Sequence, residues 1–549
     1  MKNKILILII AQMYVSYDNS FAQAWQWAQQ FGSTSKDFSA IVQHKNNSIY
    51  AAGGFYGAAM LYDTSITNPC QGINDFFLTK MNNNGQVKWL KQMGGNNLCT
   101  NCYEGIGGLV IDSFENIYVT GGFYNNTSIG QFNLTGSQFD LFIAKFDSSG
   151  NCLWAISAGG VGKDASYGIC IASNNDLFIT GTNDDSITFA NFTLPPGGFI
   201  AKYDDSGNFI FAKKIFETFH YLGKNLSCAN PQDIKFVNNK LFISGSVLND
   251  TIQSDTISIV LKNNSYNDFV SSYELNGNID WLNTFAGPLP FTPGLSLGID
   301  DFGNTFITGS FTDTGYFHSD TLFNNGFKDA YLVKFDINGN EKWVQHLHAT
   351  GGSISNNVST DSLGYSYITG KFSGNAQFGN IVLASNSISD FFVARFDSLG
   401  NCLGVKAFEN GKGNGVTQDS YSNAIVAATF TTSTSLGSFP LNSYGNEDII
   451  YAKLDAITGN MENKPPNNQL LIYANPTQGK CNITIPDEFA NEQQLTLTVY
   501  DNIGREIQVQ TITMHEGKIK LNLTAEAKGM YHVALSNGVK IYNGKIVFE

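Results

Sequence analysis

The apolar residues of most of this chain fall into short β-branched and aromatic runs separated by polar turns, and the runs recur seven times as a two-part phrase. The first part reads Ile49 to Phe55, Ile117 to Phe123, Leu177 to Asn183, Leu241 to Val247, Thr305 to Phe311, Ser366 to Phe372 and Ala424 to Phe430. The second follows as Asp75 to Lys80, Asp140 to Lys145, Gly198 to Lys202, Asp268 to Ser272, Asp329 to Lys334, Asp390 to Arg395 and Asp448 to Lys453. From Gly53 to Ala428 the six steps average about 62 residues, a spacing typical of repeat arrays. Each repeat predicts four strands, a to d from the inside outward. In the second repeat these are Ile106 to Ile111, Asn116 to Phe123, Asp140 to Phe146 and Cys152 to Ser157.

Between strands a and b, and again between c and d, stand tight polar turns such as Asp112 to Asn116 and Asp147 to Asn151, with further copies at Asp204 to Asn208, Asp300 to Asn304, Asp336 to Asn340 and Asp397 to Asn401. Asp accepts backbone N–H bonds there and Gly or Asn takes positive φ. The phrase lacks the alternating acidic ligands and distal Glu of a calcium loop, so a turn is the reading. Strand d carries Trp89, Trp154, Trp281 and Trp343, with Phe211 and Gly404 in the third and sixth repeats. The seventh repeat has no strand d, whereas Trp25 to Gly32 reads as a strand d with no repeat before it. The expected fold is therefore all-β: a seven-bladed β-propeller over residues 23–460, closed by the N-terminal strand, which hides two sheet edges. Through runs such as Asp112 to Phe123 and Asp140 to Trp154 this region resembles the seven-bladed bacterial β-propeller repeat family, a resemblance that implies a fold more than an activity.

Beyond a stiff polar linker at 461–468, which includes Lys464-Pro465-Pro466-Asn467-Asn468, the repeat vanishes. Residues 469–549 alternate as Cys481 to Ile485, Leu495 to Tyr500, Glu506 to Thr513, Lys518 to Leu523, Met530 to Leu535 and Lys540 to Phe548, which predicts a small Ig-like β-sandwich. Asn475 and Pro476, Gly504, Gly529 and Tyr531, and the closing Lys545 lie in runs that make the segment similar to the type A sorting domain of type IX secretion cargo. Ala474 departs from that family's usual Pro. The resemblance implies the type IX secretion machinery as a partner and passage through the outer membrane. It also implies removal of the domain as the protein is released or fixed to surface lipopolysaccharide.

Composition agrees with an exported β-protein. Charged residues are 14%, against about a quarter in ordinary domains, while Gly (55), Phe (42) and Tyr (24) are abundant. The net charge is −14 with no Lys/Arg cluster, so nucleic acid is not an expected partner. Lys2, Lys4 and the apolar run from Ile5 to Val15 predict a signal peptide at 1–22, cut after Ala22 or alternatively after Gln23. No later apolar stretch reaches the roughly 18 residues of a membrane helix, so the mature chain is expected to hold no transmembrane segment. The expected location is secreted or cell-surface, by way of the periplasm and across the outer membrane. Among the cysteines, Cys152, Cys170 and Cys402 read as small core residues, and Cys70, Cys99, Cys102 and Cys228 fall in loops, where a disulfide among the first three is favoured over a zinc site.

Candidate chemistry is sparse. No nucleophile elbow, His-Glu-x-x-His helix or phosphate loop is present, so no catalytic residue and no cofactor is assigned. His346-Leu347-His348 places two imidazoles on one side of a strand d. With no third ligand in sequence they read as exposed strand histidines, and no metal is assigned. The a–b and c–d turns are uniformly short, whereas the b–c and d–a connections are long and variable, which makes the latter the expected binding face. Its loops carry Tyr56, Tyr62, Tyr103, Tyr124, His220, Tyr221, Tyr266, Tyr316 and His318, suited to stacking on sugars or peptides. The function expected is a binding or adhesion scaffold for an extracellular glycan or protein ligand. An extracellular polysaccharide lyase or hydrolase acting at the channel mouth and a passive structural surface protein are the alternatives.

Overall fold

The computed structural model describes residues 24–458 and 470–549, apart from 69–73, 95–104, 216–219, 222–223, 226–228, 249–250, 255–256, 261–265, 287–294, 325–326, 386, 471, 474–476, 486–488, 490–491, 493, 502–504, 514–517 and 538–540. The signal segment with Ala22 and Gln23, the linker, the four loop cysteines and Tyr103 lie outside the described residues, as do Asn475, Pro476 and Gly504. The chain divides into two compact units, 1–458 and 459–549.

The first unit is all-β. Sheet 1 takes Phe38–Lys45, Ser48–Phe55, Asp75–Asn82 and Val87–Met93 as strands a to d, and five further sheets repeat this antiparallel order as far as Cys402–Phe408. Sheet 7 takes Gly411–Gln418, Ala424–Phe430 and Asp448–Leu454, and its fourth strand is the N-terminal Trp25–Ser33, with Trp27 opposite Lys453 and Phe31 opposite Ile449. Strands b and c are apolar on both faces because both faces meet a neighbouring sheet. Thr305–Phe311, Ala424–Phe430 and Asp448–Leu454 are buried at every position. Strand d faces a neighbour less completely and is mostly half-buried.

Seven apolar clusters fill the spaces between consecutive sheets, and one of them joins sheet 7 to sheet 1 through Trp27, Phe31, Tyr451 and Ile425 packed on Phe55, Phe77 and Ile49. Strand a of every sheet likewise packs on strand a of the next, including Gly411–Gln418 on Phe38–Lys45.

The repeated residue types earn their places in these interfaces. Each strand-d Trp lies on the Gly of the next sheet's c–d turn and donates its indole N–H to a carbonyl of that turn: Trp89 to Ser148 at 3.1 Å, Trp154 to Asp205 at 3.2 Å, Trp281 to Ile337 at 3.0 Å and Trp343 to Ser398 at 3.3 Å. Trp27 makes the same bond from sheet 7 to Asn83 of sheet 1, at 3.0 Å, beside Gly85. These glycines have φ near +80° and no room for a Cβ against the indole, so both backbone and packing require Gly. The strand-c cation reaches across in the same direction. Lys80 pairs with Glu115 at 2.7 Å, Arg395 donates to the Ile457 carbonyl at 3.0 Å, and Lys453 bonds Asn83 at 2.8 Å while pairing with buried Asp419.

The Asp-x-x-x-Asn turns are closed by their own groups. In the copy at 147–151 the Asp147 carboxylate accepts the backbone N–H of Ser149 and Asn151 and the Asn151 side-chain amide, each at 2.9 Å. Those bonds account for the residue types.

One expectation needs correction. The b–c connections read as loops from the sequence, but most carry short hairpins that lean on the preceding sheet. Ala58–Leu61 and Thr64–Thr67 extend sheet 7 through Phe31 opposite Leu61, and Ile187–Phe189 and Phe192–Leu194 extend sheet 2. In the second repeat strands b and c simply run on, to Ile129 and from Phe132. Strands of three and four residues are too short for an alternation to be read.

Burial raises several carboxyls. Asp37, bonded by Ser33 N and Oγ, and Asp164, bonded by Gly160 N, are both pushed up by desolvation to about 7, and Asp75 to about 6. A raised carboxyl pKa stabilises the fold below the unfolded value near 4, and that stabilisation is lost as pH rises through 6 to 7. We expect the melting temperature of the first unit to fall between pH 5 and pH 8. The Asp37→Asn/Asp164→Asn protein should lose most of that slope in calorimetric scans, and an unchanged slope would show that these carboxyls do not set it.

The second unit has two antiparallel sheets. One is Ile472–Tyr473, Lys480–Thr484 and Lys518–Asn522; the other is Glu506–Thr513, Gln494–Tyr500, Gly529–Ser536 and Ile541–Phe548. Alternate residues, among them Ile483, Leu497, Val499, Leu521, Val533 and Ile546, form one buried cluster with Tyr531. The Tyr531 hydroxyl donates to the Ala527 carbonyl. Gly529 has φ +153° and Lys545 is exposed.

Candidate functional site

A cavity of about 600 Å³ is lined from strand a of all seven sheets or the residue flanking it. Its polar lining is Gln43, Tyr167, Asn230, Gln232, Asp233, Lys235, Ser296, Asn356, Asn357 and Asn414.

A shared backbone irregularity aims these side chains. The a–b register slips by one residue between Ile106 and Gly108, Ser166 and Gly168, Pro231 and Asp233, Ser355 and Asn357, and Gly413 and Gly415. The extra residues are Gly107, Tyr167, Gln232, Asn356 and Asn414, and all five line the cavity. A β-bulge turns a residue out of the ladder's alternation, and here the same bulge in five sheets turns it inward. The bulges lie in the N-terminal halves of the a strands, at the end of the sheets that also holds the b–c and d–a connections.

Some lining groups are engaged between sheets. Asp233 pairs with Lys235 at 2.6 Å and accepts Leu297 N at 3.0 Å from sheet 5. Asn357 donates to Ser296 Oγ at 3.0 Å and accepts Val416 N at 2.9 Å, and Asn356 donates to the Gly413 carbonyl at 2.6 Å. Others keep capacity. Asn230 Oδ1 is buried without a hydrogen-bond partner among the described residues, and the bond from Asn414 to Thr429 is stretched to 3.5 Å. Among the described lining residues Asp233 is the one carboxylate. The site therefore offers amides, a phenol and an ion pair, which suit an uncharged ligand rich in hydroxyls or amides.

The residues expected from sequence to form a binding face are not among the cavity's described lining. Tyr56 leans on Phe38 at 5.9 Å between ring centres, and Tyr62 is exposed at the tip of the first repeat's hairpin. Tyr124 lies half-buried in the second repeat's strand b. Tyr316 is exposed in the fifth repeat's hairpin, where His318 donates its backbone N–H to Glu341 at 2.9 Å. His220, Tyr221 and Tyr266 fall in strands of the described backbone, but their side chains lie outside the described residues. These positions are spread over several repeats. The cavity amides were missed because a bulge is invisible to period-two reading; the signal available was an extra polar residue at one point of otherwise similar a strands.

His346 and His348 lie apart from the cavity, at the end of strand d of sheet 5. They are half-buried rather than exposed, and a third group meets them: each has a ring nitrogen 2.8 Å from Asp329 Oδ2. Asp329 stands 17 and 19 residues upstream, and only the c–d strand pairing brings it near.

Residues 471–549 match the secretion system C-terminal sorting domain family. The protein is thus type IX secretion cargo, exported across the outer membrane to the cell surface or the medium. Over 480 residues, 76% of this chain, it is 22% identical to an uncharacterized WD repeat-containing protein of Acanthamoeba polyphaga mimivirus, and it spans 31% of that protein's length. Among solved structures, a protein of unknown function from Dyadobacter fermentans aligns with 78% of this chain and 98% of its own, at TM-score 0.37 and 8% identity. Trypanosoma rangeli sialidase aligns with 93% and 85%, at TM-score 0.33 and 10% identity. Likenesses this distant carry no argument about activity.

Proposed function

We propose that residues 23–460 form a seven-bladed β-propeller closed by the N-terminal strand, and that this ring is a secreted or cell-surface binding scaffold. Its ligand is a neutral hydrogen-bonding group, a glycan or the backbone of an extended peptide, held in the cavity among the a strands. The observation that carries this reading is the bulge repeated in five sheets, which delivers Tyr167, Gln232, Asn356 and Asn414 to one space. A packing role alone does not call for amides at the centre of an otherwise apolar array, since buried amides cost free energy unless partnered. A single carboxylate, already paired with Lys235, leaves no acid–base couple in the described lining, which favours binding over glycoside hydrolysis. Closure is supported by the seventh inter-sheet core and by the bonds of Trp27 and Lys453 to Asn83.

In the same reading a signal peptide ending at Ala22 or Gln23 delivers the chain to the periplasm, and the C-terminal unit is an Ig-like sandwich removed on export. The aromatic connections are not part of that site.

Screening the exported protein on glycan and peptide arrays tests the proposal. We expect a restricted set of neutral ligands, whose signal falls at least tenfold in Tyr167→Ala and Asn230→Ala proteins. Signals that survive both substitutions would remove the cavity from consideration.

A further inference from the structure

The repeats act as one another's controls around a carboxylate that most of them bury at the same place. The Asp that opens strand c is buried in sheets 1, 2, 4, 5, 6 and 7. In sheets 1 and 7 it is served by one amide from strand d: Gln92 donates to Asp75 at 2.6 Å and Gln30 to Asp448 at 2.7 Å. Two residues further on, sheets 1, 2 and 7 have Gly94, Gly159 and Gly32, where a Cβ would collide with the same Asp side chain. Sheets 4 and 6 have Asn283 and Phe285, and Ala407 and Glu409, at these two positions, and sheet 5 alone carries histidine at both. At the Gln position stands His346, opposite Tyr331 as Gln92 is opposite Phe77, and at the Gly position stands His348. The fold requires neither histidine, yet both converge on Asp329.

We propose that Asp329, His346 and His348 form a divalent transition-metal site of the two-histidine, one-carboxylate kind. The three donor atoms lie within 4.8 Å of one another. Asp329 Oδ2 is 2.8 Å from both His346 Nε2 and His348 Nδ1. A tetrahedral ion with bonds of about 2.0–2.1 Å has donors about 3.3 Å apart, so insertion of Zn²⁺ needs only a small spreading of the rings and displacement of the two ring protons. Backbone support exists, because Ala349 N donates to the other oxygen, Asp329 Oδ1, at 3.1 Å, and second-shell bonds of this kind fix ligand orientation. The carboxylate is fully buried, whereas the imidazoles keep 24% and 36% of their side-chain surface exposed. Ions can therefore enter from solvent, and the remaining coordination position is left to water.

The test compares the full chain with His346→Gln/His348→Gly, which restores the residues of sheet 1 and so is expected to fold, and with His346→Gln alone. Equilibrium dialysis against Zn²⁺ should give the wild type one equivalent more than the double variant at micromolar free metal, with the single variant binding at least tenfold more weakly. Co²⁺ in place of Zn²⁺ should give visible d–d absorption in the wild type that the double variant lacks. Unfolding in chelator reports whether each variant is intact. Equal Zn²⁺ stoichiometry and affinity in wild type and a folded variant, or no Co²⁺ bands that depend on these residues, would overturn the proposal.

Discussion

Truncating Trp27 to alanine is expected to destabilise the first unit by about 3–5 kcal/mol, the usual cost of emptying a buried aromatic site. The residue is 8% exposed, packs on Gly85 and donates to Asn83, so its loss removes both the apolar contact and the hydrogen bond across the junction of sheets 7 and 1. Trp281 makes the corresponding contact between sheets 4 and 5, well inside the array. If the ring is closed, denaturant unfolding should give Trp27→Ala and Trp281→Ala comparable losses. A Trp27→Ala protein as stable as the wild type would mean that the first strand is a dispensable edge and that the array is open.

Deleting residues 470–549 is expected to abolish export. The deleted segment is the one that matches the sorting family, while the first unit has its own inter-sheet cores and is expected to fold without it. Immunoblots of cell fractions should move the truncated protein from the surface and medium into the periplasm, with at least a tenfold fall in the exported fraction. Mass spectrometry of the exported wild type should find a chain lacking the C-terminal unit. Continued export of the truncated protein would show that sorting resides elsewhere.

Much of the architecture was legible because its causes are local. Strands b and c are apolar on both faces, and the turns announce themselves through Asp147 and Asn151 or their equivalents. The orphan Trp25 to Gly32 run identified the fourth strand of sheet 7, since Trp27 repeats the position of Trp89 and Trp154. Features depending on one extra residue, or on partners across a sheet, were not legible. Gln232 and Asn356 enter the cavity only because the register slips beside them. Asp329 meets His346 only because strands c and d pair. The hairpins, such as Thr321–Phe323, are too short to distinguish from loops.

Calorimetric titration of the exported protein with the strongest array ligand tests the binding reading most directly. Tyr167→Ala, Asn230→Ala and Asn414→Ala should each weaken binding at least tenfold, as loss of about 1.4 kcal/mol or more per hydrogen-bonding group requires. Tyr62→Ala and Tyr316→Ala, on the outlying hairpins, should leave it unchanged. Binding that survives the three cavity substitutions and is lost with Tyr62 or Tyr316 would contradict the account and move the site to the connections.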